Sequence, residues 1–124
     1  MSAYNFKKEF VPPIRTGGKK QTIRKKRKYQ CKQGDMLQLY TGMRTKYCER
    51  IMDDQECKSV DDIIIYRDKI EINGIFLSFF DMVTLAADDG FDCLADFLLF
   101  FHDHYSLPFT GVLIKWGSKD KNIL

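Results

Sequence analysis

The chain has 124 residues, and 44% of them are hydrophobic, including ten Phe and six Tyr. This length and composition suit one globular domain with its own core, and they exclude a chain that is disordered throughout. We therefore predict a single domain over residues 1–117 and a polar, frayed tail over residues 118–124. The N-terminus lacks the apolar segment of a secretory signal, and the apolar stretch at residues 94–101 contains Asp96 and is too short to cross a membrane. A cytoplasmic location without a membrane partner is the expectation.

Charge is distributed unevenly along the chain, although the net charge is only +3. Residues 1–34 carry eleven Lys or Arg and one acid, a balance of +10, whereas residues 35–124 carry nine Lys or Arg and sixteen acids, a balance of −7. A basic segment of this kind indicates a polyanionic partner. A solubilising segment without a partner is the alternative.

The hydrophobic periodicity predicts an α+β domain. Alternation with a period of two indicates strands, whereas apolar residues spaced three and four apart indicate helices. In chain order, we predict a strand at residues 4–6, a helix at 10–16, strands at 36–41, 46–52, 63–66, 69–72 and 75–77, a helix at 79–87, a helix between Asp92 and Pro108, and a strand at 110–116. We predict about six strands in a small mixed β-barrel, because closure of the sheet hides strand edges. Two to three short helices are expected to flank a basic cleft.

Individual residues predict where these elements begin and end. Gly17 and Gly18 are typical of a helix C-terminus. Ser78 and Asp92 are expected to cap the two later helices, because their side chains can accept a hydrogen bond from the first helical turn. The polar residues at 53–56 predict a bend.

The segment of residues 17–24, Gly-Gly-Lys-Lys-Gln-Thr-Ile-Arg, carries the main functional signal. Its glycines allow close approach of the backbone to a ligand. If residues 21–24 are extended, Thr22 and Arg24 lie on one face, close to Lys19. A hydroxyl beside two cations suits a phosphate or a carbonyl group, because Arg donates two parallel hydrogen bonds and Lys adds a point charge. A solvated basic edge remains the alternative from the residues alone.

Further basic and aromatic residues extend this candidate surface. The expected nucleic-acid-binding residues are Lys19, Lys20, Thr22, Arg24, Lys25, Lys26, Arg27, Lys28, Arg44 and Lys46. Tyr40 and Tyr47 stand near the last two of these and are candidate platforms on which bases stack. Core packing is the alternative role for these tyrosines.

No metal ion or cofactor is expected. The four cysteines form no C-x-x-C pair and lack the His spacing of a zinc site. The adjacent acids at residues 53–54 and 61–62 are typical of solvated turns. His102 and His104 suit the C-terminus of a helix, where a cation is favoured by the helix dipole.

Four segments, in order, resemble the ASCH family of the PUA-like superfamily. The matching residues are Ile14, Gly17, Lys19 or Lys20 and Thr22-Ile23-Arg24, then the turn Gly34-Asp35, then Asp89-Gly90-Phe91 ahead of Leu94 and Phe97, and finally the closing strand at 109–116. The resemblance spans about residues 4–116 and implies a PUA-like β-barrel with a cleft between barrel and helices.

The resemblance also implies functions. Family members are linked to RNA binding, some are small amidohydrolases that deacetylate acetylcytidine with a Lys, a Thr and a Glu, and others are described as ribonucleases. By position, Lys19 matches the catalytic Lys, Thr22 the nucleophile, and Asp89 the place of the Glu. Asp is one methylene shorter than Glu, and the hairpin region at 53–75 makes this chain longer than the compact deacetylating members.

Three functions follow from these observations. The leading hypothesis is a module that binds RNA or a nucleotide in a basic cleft. The second is a small hydrolase, either an acetylcytidine-type amidohydrolase or a ribonuclease, that uses Lys19, Thr22 and Asp89. The third is a protein-interaction module.

Overall fold

The computed structural model describes residues 2–118, and a mixed sheet with three α-helices accounts for most of them. The strands are β1 (Ser2–Phe6), β2 (Gln21–Arg24), β3 (Met36–Thr41), β4 (Glu49–Arg50), β5 (Gln55–Ile65), β6 (Ile70–Ile72), β7 (Ile75–Phe76) and β8 (Phe109–Gly117). The helices are a 3₁₀ turn (Lys8–Phe10), α1 (Val11–Thr16), α2 (Phe79–Asp88) and α3 (Leu94–His104). The α+β class predicted from periodicity is confirmed.

Strand β8 organises the sheet. It pairs antiparallel with β2 on one side and with β5 on the other. Strand β5 also pairs with β3, and β3 lies parallel to β1, whereas β6 and β7 extend the other end of β5. No hydrogen-bonded strand pairing within residues 2–118 joins β1 to β2, and the sheet is not closed into a barrel.

Two hydrophobic cores lie on opposite faces of β8. Val112, Ile114 and Trp116 face a core built from β1, β3 and α1. Phe109 and Leu113 face a second core that holds α2 and α3 against the sheet. Alternate residues of one strand point to opposite faces, so an apolar strand such as this is buried on both sides. The seam between the two cores brings β1, β2 and α3 together.

The strand predictions differ from the structure in the middle of the chain. The predicted strand at 46–52 is wrong except for Glu49–Arg50, and the predicted bend at 53–56 is confirmed only at its start, since the chain bends at residues 52–53 and β5 begins at Gln55. The sheet therefore has eight strands within the described residues rather than about six. Polar residues fill the first half of β5, so its alternation is weak. Pairing with β8, which the local sequence does not reveal, holds it extended.

The helix-end predictions are partly confirmed. Ser78 caps α2, where its side chain accepts a hydrogen bond from the N–H of Asp81 at 3.1 Å. Gly17 ends α1 in the left-handed conformation, with φ +87°. The expected cap at Asp92 is wrong: the capping position of α3 is Cys93, which makes no side-chain capping bond. Of the predicted polar tail, residues 119–124 lie outside the described residues.

No helix within residues 2–118 is both long enough and apolar enough to cross a membrane. The same residues contain no cluster of three or more His, Cys, Asp or Glu placed to hold a metal ion.

The four thiols differ in exposure, and we expect them to differ in reactivity. Cys48 and Cys93 are exposed, whereas Cys31 and Cys57 are buried. Burial raises the pKa of the Cys57 thiol to about 12, which suppresses the reactive thiolate. Mass spectrometry after iodoacetamide treatment at neutral pH should find only Cys48 and Cys93 alkylated in the native protein, and all four after denaturation. Equal native labelling of Cys57 would contradict this burial.

Candidate functional site

A cleft of about 220 Å³ opens at the seam between β1, β2 and the end of α3. Cationic and hydroxyl-bearing side chains form its floor, and aromatic rings form its walls. Its lining residues are Asn5, Phe6, Lys7, Phe10, Lys19, Thr22, Ile23, Arg24, Phe100 and Tyr105. The structure therefore brings Lys19, Thr22 and Arg24 of the sequence motif to one place.

Lys19 forms a buried cation at the floor of the cleft. The turn after α1 positions it, because its backbone N–H donates to the carbonyl of Pro13 at 2.9 Å. The residue is 3% exposed, and its ammonium lies 4.8 Å from the ring centre of Phe10. The ammonium donates to the backbone carbonyl of Asp89 at 2.7 Å and lies 3.3 Å from the carboxylate Oδ1 of the same residue. A lysine ammonium carries three N–H groups, and the two oxygens of Asp89 account for two of them.

Asp89 lies behind Lys19 and does not line the cleft. It follows the last residue of α2, and its carboxylate also accepts a hydrogen bond from the amide of Gln21 at 3.1 Å. Gly90 allows this close packing. It has φ +95°, and a Cβ atom there would stand 3.0 Å from the Phe10 ring and 3.2 Å from the Lys19 side chain. The acid thus holds Lys19 in place rather than facing a ligand.

Burial shifts both members of this ion pair toward neutrality. Desolvation lowers the pKa of Lys19, and the attraction of Asp89 opposes that shift. Desolvation raises the pKa of Asp89, and Lys19 opposes that shift in turn. Opposed shifts within one buried pair are common at functional sites, although structural ion pairs produce them as well.

Thr22 and Arg24 form a connected pair on β2. Because strand residues alternate, both side chains emerge on the same face, and Nε of Arg24 donates to Oγ1 of Thr22 at 2.8 Å. Nη2 of Arg24 donates to the backbone carbonyl of Asn5 at 2.6 Å, and the guanidinium lies 4.8 Å from the ring centre of Phe6. Burial lowers the pKa of Arg24, yet a guanidinium stays charged in proteins. Its remaining N–H groups have no acceptor among residues 2–118.

The wall opposite β1 comes from α3 and was not predicted. Phe100 and Tyr105 line it. Nζ of Lys7 lies 3.1 Å from Nε2 of His104 and 5.3 Å from the ring centre of Phe100. An ammonium can only donate, so Nε2 accepts and Nδ1 carries the proton that is donated to the Phe100 carbonyl at 2.9 Å. The bond from Nδ1 satisfies a backbone carbonyl of the last turn of α3, which is a structural role for this His.

The other predicted binding residues lie at varied distances from the cleft. Lys25 lies over the ring of Tyr105, which lines the cleft, whereas Arg27 lies over the ring of Tyr4, which does not line it. Lys26 and Lys28 are exposed and do not line the cleft. Lys20 lines a separate hollow on the other side of β2. Lys46 and Tyr47 do not line the cleft, but they line a second hollow that adjoins it at the end of β1. Arg44 and Tyr40 line neither the cleft nor this hollow.

Fold and site together define an α+β domain with a cationic, aromatic-walled cleft above a buried Lys–Asp pair. No family model, curated protein or solved structure matches the chain. Any more particular assignment therefore rests on its own residues.

Proposed function

We propose that this chain is an ASCH-type, PUA-like domain that binds one nucleotide unit of RNA, or a free nucleotide, in the cleft formed by Lys19, Thr22 and Arg24. One observation carries the proposal. Three cations and a hydroxyl line a small cleft together with four aromatic side chains, and no acidic side chain lines it. The ASCH-like order of motifs supports the family, and the near approach of β1 to β2 through Arg24 and Asn5 suits a PUA-like arrangement.

The cations of the cleft suit a phosphate group. Two N–H groups of Arg24 are used by Thr22 and Asn5, and the remaining ones stay available in a fixed plane. Charge-assisted hydrogen bonds from such a planar fork are stronger than those between neutral groups. The hydroxyl proton of Thr22 is also available, because its oxygen accepts the bond from Arg24. The +10 balance of residues 1–34 would attract such a ligand from a distance.

The aromatic walls suit a base. Phe100 and Tyr105 are partly exposed at the mouth of the cleft, and bases stack on such rings with little dependence on sequence. The volume of about 220 Å³ lies below the range of about 300–1,000 Å³ that drug-sized ligands occupy. A single nucleotide unit, rather than a duplex, is the ligand that fits this size.

A binding titration with two matched variants tests the proposal. Arg24→Gln removes one charge inside the cleft, whereas Lys20→Gln removes one charge outside it. Fluorescence anisotropy with a short single-stranded RNA should show binding that weakens about 10- to 100-fold in Arg24→Gln, the equivalent of about 1.5–3 kcal/mol for a charged hydrogen bond. Lys20→Gln should change affinity by less than about threefold. Thermal unfolding of both variants checks that the fold is retained.

The result that would overturn the proposal is an equal effect of the two variants, or no binding at about 50 mM salt, where phosphate contacts are strongest. Arg24→Lys adds a control for geometry. It keeps the positive charge but loses the planar guanidinium with its several N–H donors, so we expect its affinity to lie between those of Arg24→Gln and the wild type.

A second candidate is a hydrolase, and the state of Thr22 favours it. Its oxygen is held by Arg24, which would stabilise negative charge on it, and Lys19 has a pKa lowered by burial, as a general base requires. In this mechanism Oγ1 of Thr22 attacks an amide carbonyl carbon while Lys19 takes its proton. Lys19 then protonates the leaving amine, and water hydrolyses the resulting ester. Because Asp89 lies behind Lys19, its role would be to orient the lysine.

Thr22→Val separates the two candidates. Incubation of acetylcytidine or short RNA with the protein, followed by chromatography of the products, should show turnover that Thr22→Val abolishes if the hydrolase is correct. Unchanged ligand in the wild-type reaction would exclude these substrates and leave the binding module.

A further inference from the structure

A second, larger hollow adjoins the cleft across the end of β1. Its volume is about 660 Å³, and its walls are the end of β1, the start of the 3₁₀ turn, and the loop that follows β3. Asn5, Phe6 and Lys7 line both the cleft and this hollow. The two depressions, which we together call the groove, therefore meet at these three residues.

Tyr47 presents an exposed aromatic ring to this hollow. It is 70% exposed, and the Lys46 ammonium lies 5.3 Å from its ring centre. The ring therefore makes no contribution to the core of residues 2–118. A ring of this kind beside a cation suits a base that stacks and a phosphate that pairs.

The loop that carries Tyr47 is held by hydrogen bonds. Oδ1 of Asn5 accepts from the N–H of Met43 at 2.9 Å and ties the loop to β1. The hydroxyl of Thr45 donates to the carbonyl of Gly42 at 2.7 Å and accepts from the N–H of Tyr47 at 3.1 Å. The platform is thus positioned before a ligand arrives, which lowers the entropic cost of binding.

The charge of the hollow favours an anion. Lys7, Lys8 and Lys46 line it, against one acid, Glu49. The carboxylate of Glu49 lies 3.3 Å from the guanidinium of Arg15, which offsets its charge. Arg24, Lys7 and Lys46 therefore give the cleft and the hollow a net positive lining.

We propose that the groove binds a single-stranded polynucleotide of at least two nucleotides, with one nucleotide in the cleft and its neighbour stacked on Tyr47. Lys7 would contact the phosphate that joins them. The inference rests on the proposed function of the cleft, and it adds the substrate class: a strand rather than a free mononucleotide. RNA and DNA share the phosphodiester and the bases, so the test includes both to determine which of them the groove binds.

The test measures how affinity depends on the length of the ligand and on the side chain at residue 47. Calorimetric titrations use a nucleoside monophosphate and a single-stranded tetranucleotide, the latter as RNA and as DNA. Wild-type protein should bind at least one tetranucleotide at least about tenfold more tightly than the monophosphate, since stacking of one base is worth about that much or more. Tyr47→Ala should remove this gain and leave the monophosphate affinity unchanged, and Tyr47→Phe should retain it.

Tyr29→Ala is the matched control. Tyr29 is 83% exposed with the Lys28 ammonium 5.6 Å from its ring centre, but it lines neither part of the groove. Equal affinity for monophosphate and tetranucleotides would overturn the inference while leaving the cleft proposal intact. Loss of affinity in Tyr29→Ala equal to that in Tyr47→Ala would overturn it too. Absence of monophosphate binding, or binding indifferent to Arg24→Gln, would instead count against the cleft itself.

Discussion

Asp89→Leu is expected to destabilise the protein by about 3–5 kcal/mol, because it leaves the ammonium of Lys19 buried without its carboxylate. The side chains of the two residues are only 3% and 7% exposed, so water cannot replace the lost partner. Lys19→Met should cost a similar amount, since the carboxylate would then keep only the hydrogen bond from Gln21. The double variant Lys19→Met/Asp89→Leu should recover most of the loss, because a buried apolar pair carries no desolvation cost. Urea denaturation of all three variants measures these differences.

An exposed ion pair provides the control for this cycle. Nζ of Lys58 lies 2.7 Å from Oε1 of Glu56, closer than the 3.3 Å of the buried pair. The side chain of Lys58 is 43% exposed, so Lys58→Met should change stability by no more than about 1 kcal/mol. Additive single losses in the buried cycle would show that Lys19 and Asp89 are not coupled. If Asp89→Leu does not fold, Asp89→Asn is the milder variant for the same cycle.

The double variant also separates folding from ligand binding. It should keep the fold while losing the cation at the floor of the cleft. Under the proposed function, its RNA affinity should fall although its stability is restored. If the double variant keeps its RNA affinity, the Lys19–Asp89 ion pair serves only to stabilise the fold.

The local sequence predicts the floor of the site better than its walls. Thr22 and Arg24 alternate along an extended segment, so their shared face follows from strand geometry. Gly17 ends α1 and aligns Lys19 with them, as a glycine-terminated helix predicts. Lys20 is the exception within the motif: it precedes β2, so strand alternation does not set its direction, and it lines a separate hollow together with Gln21.

The walls depend on contacts between distant segments. Phe100 and Tyr105 reach the cleft because α3 packs on the second core, and nothing in their local sequence distinguishes them from other core residues. Asp89 was expected to act as the acid of a hydrolase, yet its carboxylate pairs with Lys19 and does not line the cleft. The polar half of β5 was missed for a related reason. Its partner β8 lies far away in sequence, and pairing outweighs weak local propensity.

Gly111→Ala is expected to destabilise the protein by about 3 kcal/mol and to disturb the cleft, although the residue does not line it. A Cβ atom at this position would stand 2.3 Å from the backbone carbonyl oxygen of Arg24 and 2.8 Å from the ring of Phe109. A ring can rotate, but a backbone oxygen in a paired strand moves only with its strand, so the cost lies at the upper end for overpacking. The end of β2 must shift, and Arg24 shifts with it.

Gly18→Ala is the matched control for this substitution. It lies in the Gly-Gly motif, but its added Cβ would meet nothing closer than the Pro13 carbonyl oxygen at 3.8 Å. We expect its thermal midpoint to stay close to that of wild type and that of Gly111→Ala to fall. At a temperature where both variants are fully folded, only Gly111→Ala should weaken binding of the nucleoside monophosphate. Reduced stability without reduced affinity would mean that Arg24 keeps its position, and that the carbonyl of Asn5 and the ring of Phe6 hold its guanidinium even when the strand beneath it moves.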